Sequence, residues 1–313
     1  MDADLQDPRE LAQASRRAAP AWKVAVALAT VYLVWGSTYF GIRVAIRTVP
    51  PLSMAALRFL VAGGLLYAWA VRRGDRDGDR PGLAQWAAGA VVGVLLLAAG
   101  NGAVTWGEQR IPSGVAALLV ATVPLWMAIL GRLALGERLR WTAVLGLAAG
   151  FGGLVLLVRP SGTHRLDAAA TAVVLGGALA WASGSVWSRR APLPRRPLVG
   201  AGMEMLAGGA ALALAAVAGG ELGRLHPDRF SAASLLAIAY LVVFGSLAAF
   251  TAYAWLLRNV RTSVAATYAY VNPVVAVALG WGFGGEPVSG RTLLAGAVIV
   301  AGVGLIVTAR PTH

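Results

Sequence analysis

The sequence of 313 residues contains no cysteine and a single lysine. Without cysteine the chain can form no disulfide, no thiolate metal site and no thiol nucleophile. Charged residues make up 13% of the chain, about half of what is usual in soluble domains. No Walker A phosphate-binding sequence is present, and the three histidines stand apart in polar segments or at the last position. We therefore expect no metal, no cofactor and no step driven directly by ATP.

Apolar residues are abundant instead and form 58% of the chain. A helix needs about 20 predominantly apolar residues to cross the hydrocarbon core of a bilayer. Ten runs meet this requirement: 22–42, 51–71, 84–106, 113–131, 139–158, 168–188, 198–218, 233–257, 262–284 and 290–309. Backbone inside a bilayer must satisfy its own hydrogen bonds. We therefore predict an all-α integral membrane protein with ten transmembrane helices surrounded by lipid.

The basic residues lie mainly in the short loops between the apolar runs. Eighteen Lys and Arg side chains fall on the side of the N-terminal tail, and eight fall on the other side. Because loops rich in Lys and Arg stay in the cytoplasm, we predict that the tails at 1–21 and 310–313 are both cytoplasmic. The excess of positive charge is then a topology signal, and no nucleic-acid partner is expected. The sequence gives no indication of the oligomeric state.

The chain is internally duplicated. Residues 111–158 return at 260–307 without insertion or deletion, and 13 of the 48 aligned positions are identical. The earlier parts of the two halves align with a shift of 146 residues. The two repeats are therefore 22–158 and 168–309. Each contains five spans, which is an odd number, so we predict that the second copy inserts upside down, as in secondary transporters built from inverted repeats.

Several segments resemble a known family, the EamA-type ten-helix exporters of the drug/metabolite transporter superfamily. The superfamily resemblance is carried by WGSTYFGIR (35–43), PPLSMAALRF (50–59) and the paired P…GE blocks (Pro124 with Gly136-Glu137, Pro273 with Gly285-Glu286). Resemblance to the YedA-like branch is carried by AAGNGAVTW (98–106), PSGVAALLVATVPL (112–125), AGMEMLAGG (201–209), GSLAAFTAYAWLLRNV (245–260) and TYAYVNPVVAVALG (267–280). The resemblance implies an inverted five-plus-five repeat in the cytoplasmic (inner) membrane of a bacterium. It also implies export of small amphiphilic metabolites or drugs, without indicating which.

Arg58 and Glu204 are charged residues well inside predicted spans, and the shift of 146 places one on the other. A charge near a helix centre costs roughly 2.5–3.5 kcal/mol on insertion scales. Three interpretations are open: both side chains snorkel to the headgroups, they form a structural ion pair, or they take part in transport. In the last case Arg58 attracts a carboxylate or another anionic group, and Glu204 binds a cationic group or a proton.

Pro124 and Pro273 occupy equivalent positions in the middle of predicted spans. Each removes a backbone donor and frees a carbonyl of the preceding turn. One interpretation is a static bend needed for packing, and the other is a hinge that lines a cavity, where opened backbone is tolerated. Asn272 favours the second, because its side chain can recognise a polar group or satisfy the freed carbonyl.

Aromatic and weakly polar residues complete the predicted substrate cavity, although packing is the commoner use of buried aromatic rings. The candidates that join Arg58 and Glu204 are Trp35, Tyr39, Asn101, Trp181, Tyr253, Tyr268, Tyr270 and Asn272. Such a cavity suits amphiphilic solutes. Glu137 and Glu286, by contrast, each follow a glycine between two spans, where a carboxylate caps the next helix. We predict a structural role for this pair.

The function that these features favour is secondary transport. We expect a transporter that exports amino acids, related small amphiphilic metabolites or drugs by alternating access, with proton coupling as one option. An uptake permease of the same fold is the alternative, followed by a membrane enzyme or a scaffold that transports nothing. The loop residues His164, Asp167, His226 and Asp228 form no recognisable acid–base or metal group, so enzymatic activity is not expected.

Overall fold

A computed structural model of the protein describes residues 19–73, 81–111, 116, 119–136, 141–158, 167–284 and 290–308. Within these ranges the chain forms ten long helices and no strand. They are α1 (Ala21–Ala45), α2 (Pro51–Arg72), α3 (Leu83–Gly107), α4 (Val123–Leu135), α5 (Trp141–Val158), α6 (Ala168–Ser188), α7 (Pro197–Ala218), α8 (Ala232–Asn259), α9 (Tyr268–Gly284) and α10 (Gly290–Thr308). The predicted fold class is confirmed.

The helices have the length and surface of membrane spans. Among the described residues, α1, α2, α3, α6, α7 and α8 are each long and apolar enough to cross a membrane, and α4, α5 and α10 contain shorter apolar stretches. Large apolar side chains face outward, with Leu33 63% exposed and Phe40 65% exposed. Extensive apolar surface of this kind is unfavourable in water and favourable against lipid.

The repeat-equivalent helices α2 and α7 pack against each other and run antiparallel. A Cβ atom added at Gly63 would lie 2.8 Å from the Cβ of Met205, and one added at Gly202 would lie 2.9 Å from the Cβ of Tyr67. Later residues of α2 therefore contact earlier residues of α7, as is expected for antiparallel helices. Backbones approach this closely only where one partner has no side chain.

Helices α5 and α10, the last of each repeat, meet in the same way. A Cβ atom added at Gly146 would lie 2.7 Å from Ile306, and one added at Gly153 would lie 2.9 Å from Ile299. This pair is also antiparallel. Since both pairs join equivalent helices that point in opposite directions, the second repeat is inverted relative to the first.

The remaining contacts follow the same symmetry. Helix α1 packs against α8 and α9, and its equivalent α6 packs against α3 and α4. Exchanging the two halves therefore maps the packing onto itself. The pseudo-two-fold axis passes through the α2–α7 and α5–α10 contacts, and in an inverted repeat such an axis lies in the plane of the membrane.

Each repeat also carries a π-helical segment at the same place. Val94–Asn101 interrupts α3 and Leu241–Ala248 interrupts its equivalent α8, with α-helix on both sides of each segment. A π segment widens the helix by one residue per turn, and such segments occur frequently at functional sites. Both segments face the centre of the bundle, where the cavity described below is located.

Helices α4 and α9 begin after tight turns at membrane depth. Ala121–Thr122 forms a turn before α4, and Ala266–Thr267 forms a turn between a short helix, Thr262–Ala265, and α9. Pro124 is in the first turn of α4, whereas Pro273 lies inside α9. The two prolines are thus placed differently relative to the local helix start, although they are equivalent in sequence. Their role as hinges stays a prediction.

Candidate functional site

A cavity lies between the two repeats and has an empty volume of about 650 Å³, including its open side. Its lining comes from α1, α2, α3, α6, α8 and α9 and from the residues around the start of α4. In ligand-binding cavities a few polar groups on mostly apolar walls fix the ligand's orientation. The position between the repeats and the mixed lining are therefore typical of a site for a small solute.

Seven of the ten predicted cavity residues line this space: Trp35, Tyr39, Arg58, Asn101, Trp181, Tyr268 and Asn272. The other three lie elsewhere. Tyr253 is directly behind the aromatic wall, and Glu204 lines a second, smaller pocket. Tyr270 packs against Gly150 of α5, with its hydroxyl 3.5 Å from the Leu147 carbonyl, and does not reach the cavity.

Arg58 brings a positive charge into the cavity from the first turns of α2. Only 3% of its surface is exposed, its Nε donates to Ser246 Oγ at 2.8 Å, and its guanidinium lies 4.7 Å from the ring centre of Phe59. A Cβ at Gly245 would lie 2.9 Å from Arg58 Nη2. The π segment of α8 therefore fixes the guanidinium in two ways. Ser246 bonds its Nε, and Gly245, the residue before it, has no side chain that would displace the guanidinium.

Trp35, Trp181 and Tyr268 form an aromatic wall beside Arg58, and Tyr253 packs behind them. The Trp35 ring centre is 5.5 Å from that of Trp181, 5.0 Å from that of Tyr253 and 4.8 Å from that of Tyr268. Trp35 Nε1 donates to the Gly245 carbonyl at 3.0 Å, and Trp181 Nε1 donates to the Tyr253 hydroxyl at 3.1 Å. Because the indole N–H groups are bonded within the protein, their ring faces remain for packing against a solute.

Asn272 contributes an acceptor that the protein leaves unused. Its side chain is 2% exposed, and its Oδ1 has no hydrogen-bond partner among the described residues. A buried polar atom without a partner is unfavourable by about 1–3 kcal/mol. Since this atom belongs to a residue that lines the cavity, a donor on a bound solute would remove that penalty.

Glu204 lies in a separate pocket with Arg258. This smaller pocket is lined by parts of α3, α6, α7 and α8, and Arg258 Nη1 in it also donates to the Pro194 carbonyl at 3.2 Å and to the Arg195 carbonyl at 3.3 Å. Glu204 is 4% exposed. Neither Glu204 nor Arg58 snorkels to the surface, and in the described part of the chain the two do not pair with each other.

The antiparallel packing of α2 and α7 explains why Arg58 and Glu204 are apart. Where α2 and α7 cross, the residues that face their own repeat equivalents are near Ala62 on α2 and Gly208 on α7. Arg58 and Glu204 each precede that level by four residues, which is about 6 Å along a helix. Because the helices run in opposite directions, the two charges lie on opposite sides of the pseudo-axis, one in each pocket.

A barrier of two aromatic residues separates the pockets. Phe250 lines both of them, and Tyr253 lines the smaller pocket while its ring packs against three residues of the larger one. The Tyr253 hydroxyl is held by Ser185 at 2.8 Å. The two pockets are therefore neighbours that share Phe250 as a lining residue.

Several residues that shape this region are not recognisable from the sequence alone. Ser246 and Gly245 carry no signal by themselves, because their role depends on Arg58, which is 188 residues away from Ser246 along the chain. Glu108 directly follows the last residue of α3, and both of its carboxylate oxygens are buried without a hydrogen-bond partner among the described residues. The sequence does not distinguish Glu108, because it falls just beyond the end of the predicted span, where charged residues are common.

The predicted caps Glu137 and Glu286 lie outside the described residues. Another glutamate caps a helix instead. Glu221, in the short helix Glu221–Arg224 after α7, accepts the backbone N–H of Leu52 at 3.1 Å and both the N–H and the hydroxyl of Ser53 at 2.8 Å. It therefore satisfies free donors at the start of α2 and ties the two repeats together at that end.

Comparison with known proteins agrees with this architecture. The model of the EamA-like transporter family matches residues 22–159 and 169–308. The uncharacterized inner membrane transporter YedA of Escherichia coli K12 is 44% identical over 281 residues, which cover 90% of this chain and 89% of that protein. A probable terminal-alkyne amino-acid exporter of Streptantibioticus cattleyicolor is 29% identical over 291 residues, which cover 91% of this chain and 93% of that protein.

A solved crystal structure shares the fold. It matches with a TM-score of 0.73 over 90% of this chain and 95% of that one, at 23% sequence identity. At that identity the likeness concerns the fold alone. The family match, in contrast, covers both repeats almost completely, and the chain therefore belongs to the EamA-like transporter family and is a membrane transporter, not an enzyme.

Proposed function

We propose that the protein is a secondary exporter of amino acids, related small amphiphilic metabolites or drugs, and that it works by alternating access across the cytoplasmic membrane. The observation that carries the proposal is the chemistry of the cavity between the repeats. One space walled by aromatic rings is lined both by Arg58, whose guanidinium is fixed by Ser246, and by Asn272, whose amide oxygen has no hydrogen-bond partner among the described residues. We propose further that transport is coupled to protons.

Each part of an amino acid has a counterpart in this cavity. A guanidinium binds a carboxylate through charge-assisted hydrogen bonds, and Arg58 keeps its terminal nitrogens on the cavity side because its Nε is committed to Ser246. Asn272 Oδ1 accepts from an ammonium group, which the aromatic faces of Trp35 and Tyr268 also attract. Apolar walls such as Ile42 suit a hydrophobic side chain.

Alternating access follows from the pair of pockets. The cavity with Arg58 has an empty volume of about 650 Å³, whereas its counterpart with Glu204 has about 350 Å³. We propose that the inverted conformation enlarges the Glu204 pocket at the expense of the Arg58 cavity, with Phe250 and Tyr253 moving between them. Glu204 then meets the cationic group of the solute or a proton on that side.

The direction of transport depends on orientation. The Lys and Arg distribution predicts cytoplasmic tails, which puts the Arg58 cavity on the outer side of the pseudo-axis and Glu204 on the inner side. A relative from Streptantibioticus cattleyicolor is named a probable amino-acid exporter, and this favours export over uptake for the present chain. Uptake by the same route is the outcome that the test below separates.

Flux into proteoliposomes tests the proposal. The full chain is reconstituted, and counterflow of a mixture of labelled amino acids is measured with and without an imposed proton gradient. We expect saturable counterflow that is lost in Arg58→Gln and retained in Arg229→Gln, an exposed arginine of an extramembrane segment. If the solute is driven across the membrane in the same direction as the protons, the protein is an uptake permease. If the protein transports neither amino acids nor other small amphiphilic solutes, the proposal is wrong.

A further inference from the structure

Glu108 is a buried carboxylate for which neither the fold nor the proposed substrate contacts give a reason. It follows Gly107 at the end of α3, and its N–H bonds the Val104 carbonyl at 2.9 Å, so the helical turn continues through it. Val104 lines the cavity. Since positions i and i+4 lie on the same face of a helix, Glu108 lies one turn above the cavity wall, toward the end where α1 stops and α2 starts.

An apolar cluster surrounds this position. We call it the outer cluster, and it consists of Tyr39, Val104, Ile111, Ala116, Ala170 and Val174, with Trp106, Leu119 and Val120 packed against it. It joins α1, α3, α6 and the approach to α4 across one end of the cavity. A Cβ at Gly107 would lie 2.4 Å from Val174, so α3 and α6 are in close contact here. Tyr39, Val104 and Val120 of the outer cluster also line the cavity, so the cluster borders the cavity at this end.

The charges near Glu108 are few. From α1 the groups that act on it are the phenol of Tyr39, which lines the cavity, and the exposed guanidinium of Arg43. From α6 it meets the apolar Ala170 and Val174, and Asp167 at the start of that helix has its carboxylate bound to the Ala170 N–H at 2.9 Å. Arg110 on its own segment stacks on Trp106 at 4.3 Å. The described part of the α4 approach is apolar.

Other carboxylates of the described chain have partners or lie elsewhere. Glu221 is bonded to Leu52 and Ser53, and Asp228 is exposed beside Arg229. Glu204 is beyond the Phe250 barrier, in the other pocket. Among the described carboxylates, only Glu108 combines two buried oxygens that lack a hydrogen-bond partner with a position at this end of the cavity. An ionised carboxylate in such surroundings is strongly unfavourable, whereas a neutral one is tolerated.

We propose that Glu108 is a proton-binding site that controls the outer mouth of the cavity. With a proton on the carboxylate the outer cluster closes. Release of that proton to external water leaves a charge that needs hydration and the nearby guanidinium of Arg43, so the cluster separates and the cavity opens outward. This assignment rests on the proposed exporter function, which it deepens by naming the group through which external protons control the outer mouth: solute leaves while the carboxylate is ionised, and a proton taken up from external water closes the mouth again.

The sign of the pH dependence follows from burial. Burial raises the pKa of Glu108 from its usual 4.5 to about 8 in the closed structure, while in the open, hydrated mouth the ordinary value applies. The closed form therefore holds one more proton than the open form between these two values. Closure is fully favoured below the lower value and is lost as the pH rises through the upper one, by about tenfold in the equilibrium constant per pH unit.

The absence of cysteine from the chain makes a direct test possible. Ala178→Cys places one thiol in the cavity wall. Gly223→Cys places one in the segment after α7, at an open position without close neighbours. A membrane-impermeant maleimide is added to intact cells, and the labelling rate at 178 is divided by that at 223 for each external pH, which removes the intrinsic pH dependence of thiol reactivity.

We expect this ratio to rise at least about tenfold between external pH 5 and pH 8, and to be low and independent of pH when Glu108→Gln is added. Glu221→Gln should leave the rise unchanged. Removing the nearby positive charge with Arg43→Gln should move the rise to higher pH. A ratio that still follows pH in Glu108→Gln, an unmoved midpoint in Arg43→Gln, or a residue 223 that external reagent never reaches would each overturn the assignment.

A flux measurement separates this inference from the proposed function. Wild-type counterflow should rise with external pH, whereas Glu108→Gln, which holds the mouth closed, should show low counterflow at every external pH. Counterflow in Glu108→Gln that equals the wild-type rate and follows external pH in the same way would overturn the gate assignment. If wild-type protein moves no solute at all while the labelling ratio behaves as expected, Glu108 is a proton-sensitive gate and the proposed substrate class is wrong.

Discussion

Arg58 and Glu204 occupy the same position of the two repeats, yet one lies in a cavity of about 650 Å³ and the other in a separate pocket of about 350 Å³. Their helices are packed as equivalents, antiparallel and through glycines. The backbone therefore obeys the pseudo-symmetry while the side chains do not. Symmetric packing gives two compartments that can exchange roles, and unequal chemistry lets each compartment meet a different part of the solute.

The glycines of the two π segments show how far the symmetry extends. A Cβ at Gly100 would lie 2.9 Å from the Trp181 ring, and Gly245 accepts the N–H of Trp35, the repeat equivalent of Trp181. Each of these glycines thus contacts the tryptophan of the other repeat. The space beside Gly245, however, is occupied by Arg58, whereas the described atoms nearest to an added Cβ at Gly100 belong to Trp181 and Leu95 and carry no charge. The asymmetry enters through single residues on a symmetric frame.

The largest effect is expected from neutralising the cavity charge. Arg58→Gln removes the guanidinium that we assign to the substrate carboxylate, and a hydrogen bond to a charged group contributes about 1.5–3 kcal/mol. We expect both substrate binding and counterflow to fall by at least about tenfold, with Arg58→Lys intermediate because it keeps the charge but not the planar fork. If the substrate affinity of Arg58→Gln is unchanged at equal amounts of membrane protein, Arg58 takes no part in substrate recognition.

A smaller and different effect is expected at the equivalent position. Glu204→Gln changes a pocket that is closed in this conformation, so equilibrium binding to the Arg58 cavity should stay within about twofold while the turnover of flux falls several-fold. Binding is measured on the purified protein and flux in proteoliposomes. If Glu204→Gln transports as well as wild type at every external pH, the carboxylate has no part in transport and the asymmetry of charge is structural.

Gly245→Ala tests the space beside Arg58. The added methyl would lie 2.9 Å from Arg58 Nη2 and 3.1 Å from Thr38 Cγ2, and overpacking of this kind is destabilising by typically 1–3 kcal/mol. We expect a lower melting temperature and weaker substrate affinity. Gly64→Ala on the same helix as Arg58 is the control, because nothing lies within 4 Å of its added Cβ. Equal behaviour of the two variants would show that Arg58 moves aside freely.

The smallest effect is expected where the repeats are tied together. Glu221→Gln keeps the shape of the cap on α2 but removes its charge, which should lower the free energy of unfolding by about 1 kcal/mol. A melting temperature lower by about 2–4 °C is expected, with counterflow retained. Asp228→Asn, an exposed neighbour with 77% of its side chain accessible, should leave the melting temperature unchanged. A larger shift for Asp228→Asn than for Glu221→Gln would contradict the capping role.

Much of the fold was predictable because its signals are contiguous in the sequence. Ten apolar runs of about the right length indicate ten spans, and the repeat with an odd number of spans indicates inversion. The starts of α4 and α9 were not predictable, since the turns at Ala121–Thr122 and Ala266–Thr267 interrupt apolar runs that read as continuous helices. Pro124 and Pro273 lie near these two turns in the sequence, but their positions do not indicate where each turn ends and its helix begins.

The candidate site was predictable in its residue types and less so in its geometry. Buried charge and aromatic residues in the middle of spans suggested the cavity, and seven of the candidates do line one space. Tyr270 does not line it. Tyr270 is two positions after Tyr268 on α9, so its side chain leaves the helix in a different direction and packs against α5. Which face of a helix meets the cavity is set by its neighbours, and a nearly uniform apolar sequence does not reveal it.

By itself the sequence determined the membrane environment, the number of helices, the inverted duplication and the family, since hydrophobic length and internal similarity are properties of the chain read in order. The tertiary structure alone decided that Arg58 and Glu204 lie in different pockets, that Ser246 and Gly245 position the guanidinium, and that Glu108 is buried without a partner. The physical reason is the same in each case. These features depend on contacts between segments far apart along the chain, and only the packing of the helices brings those segments together.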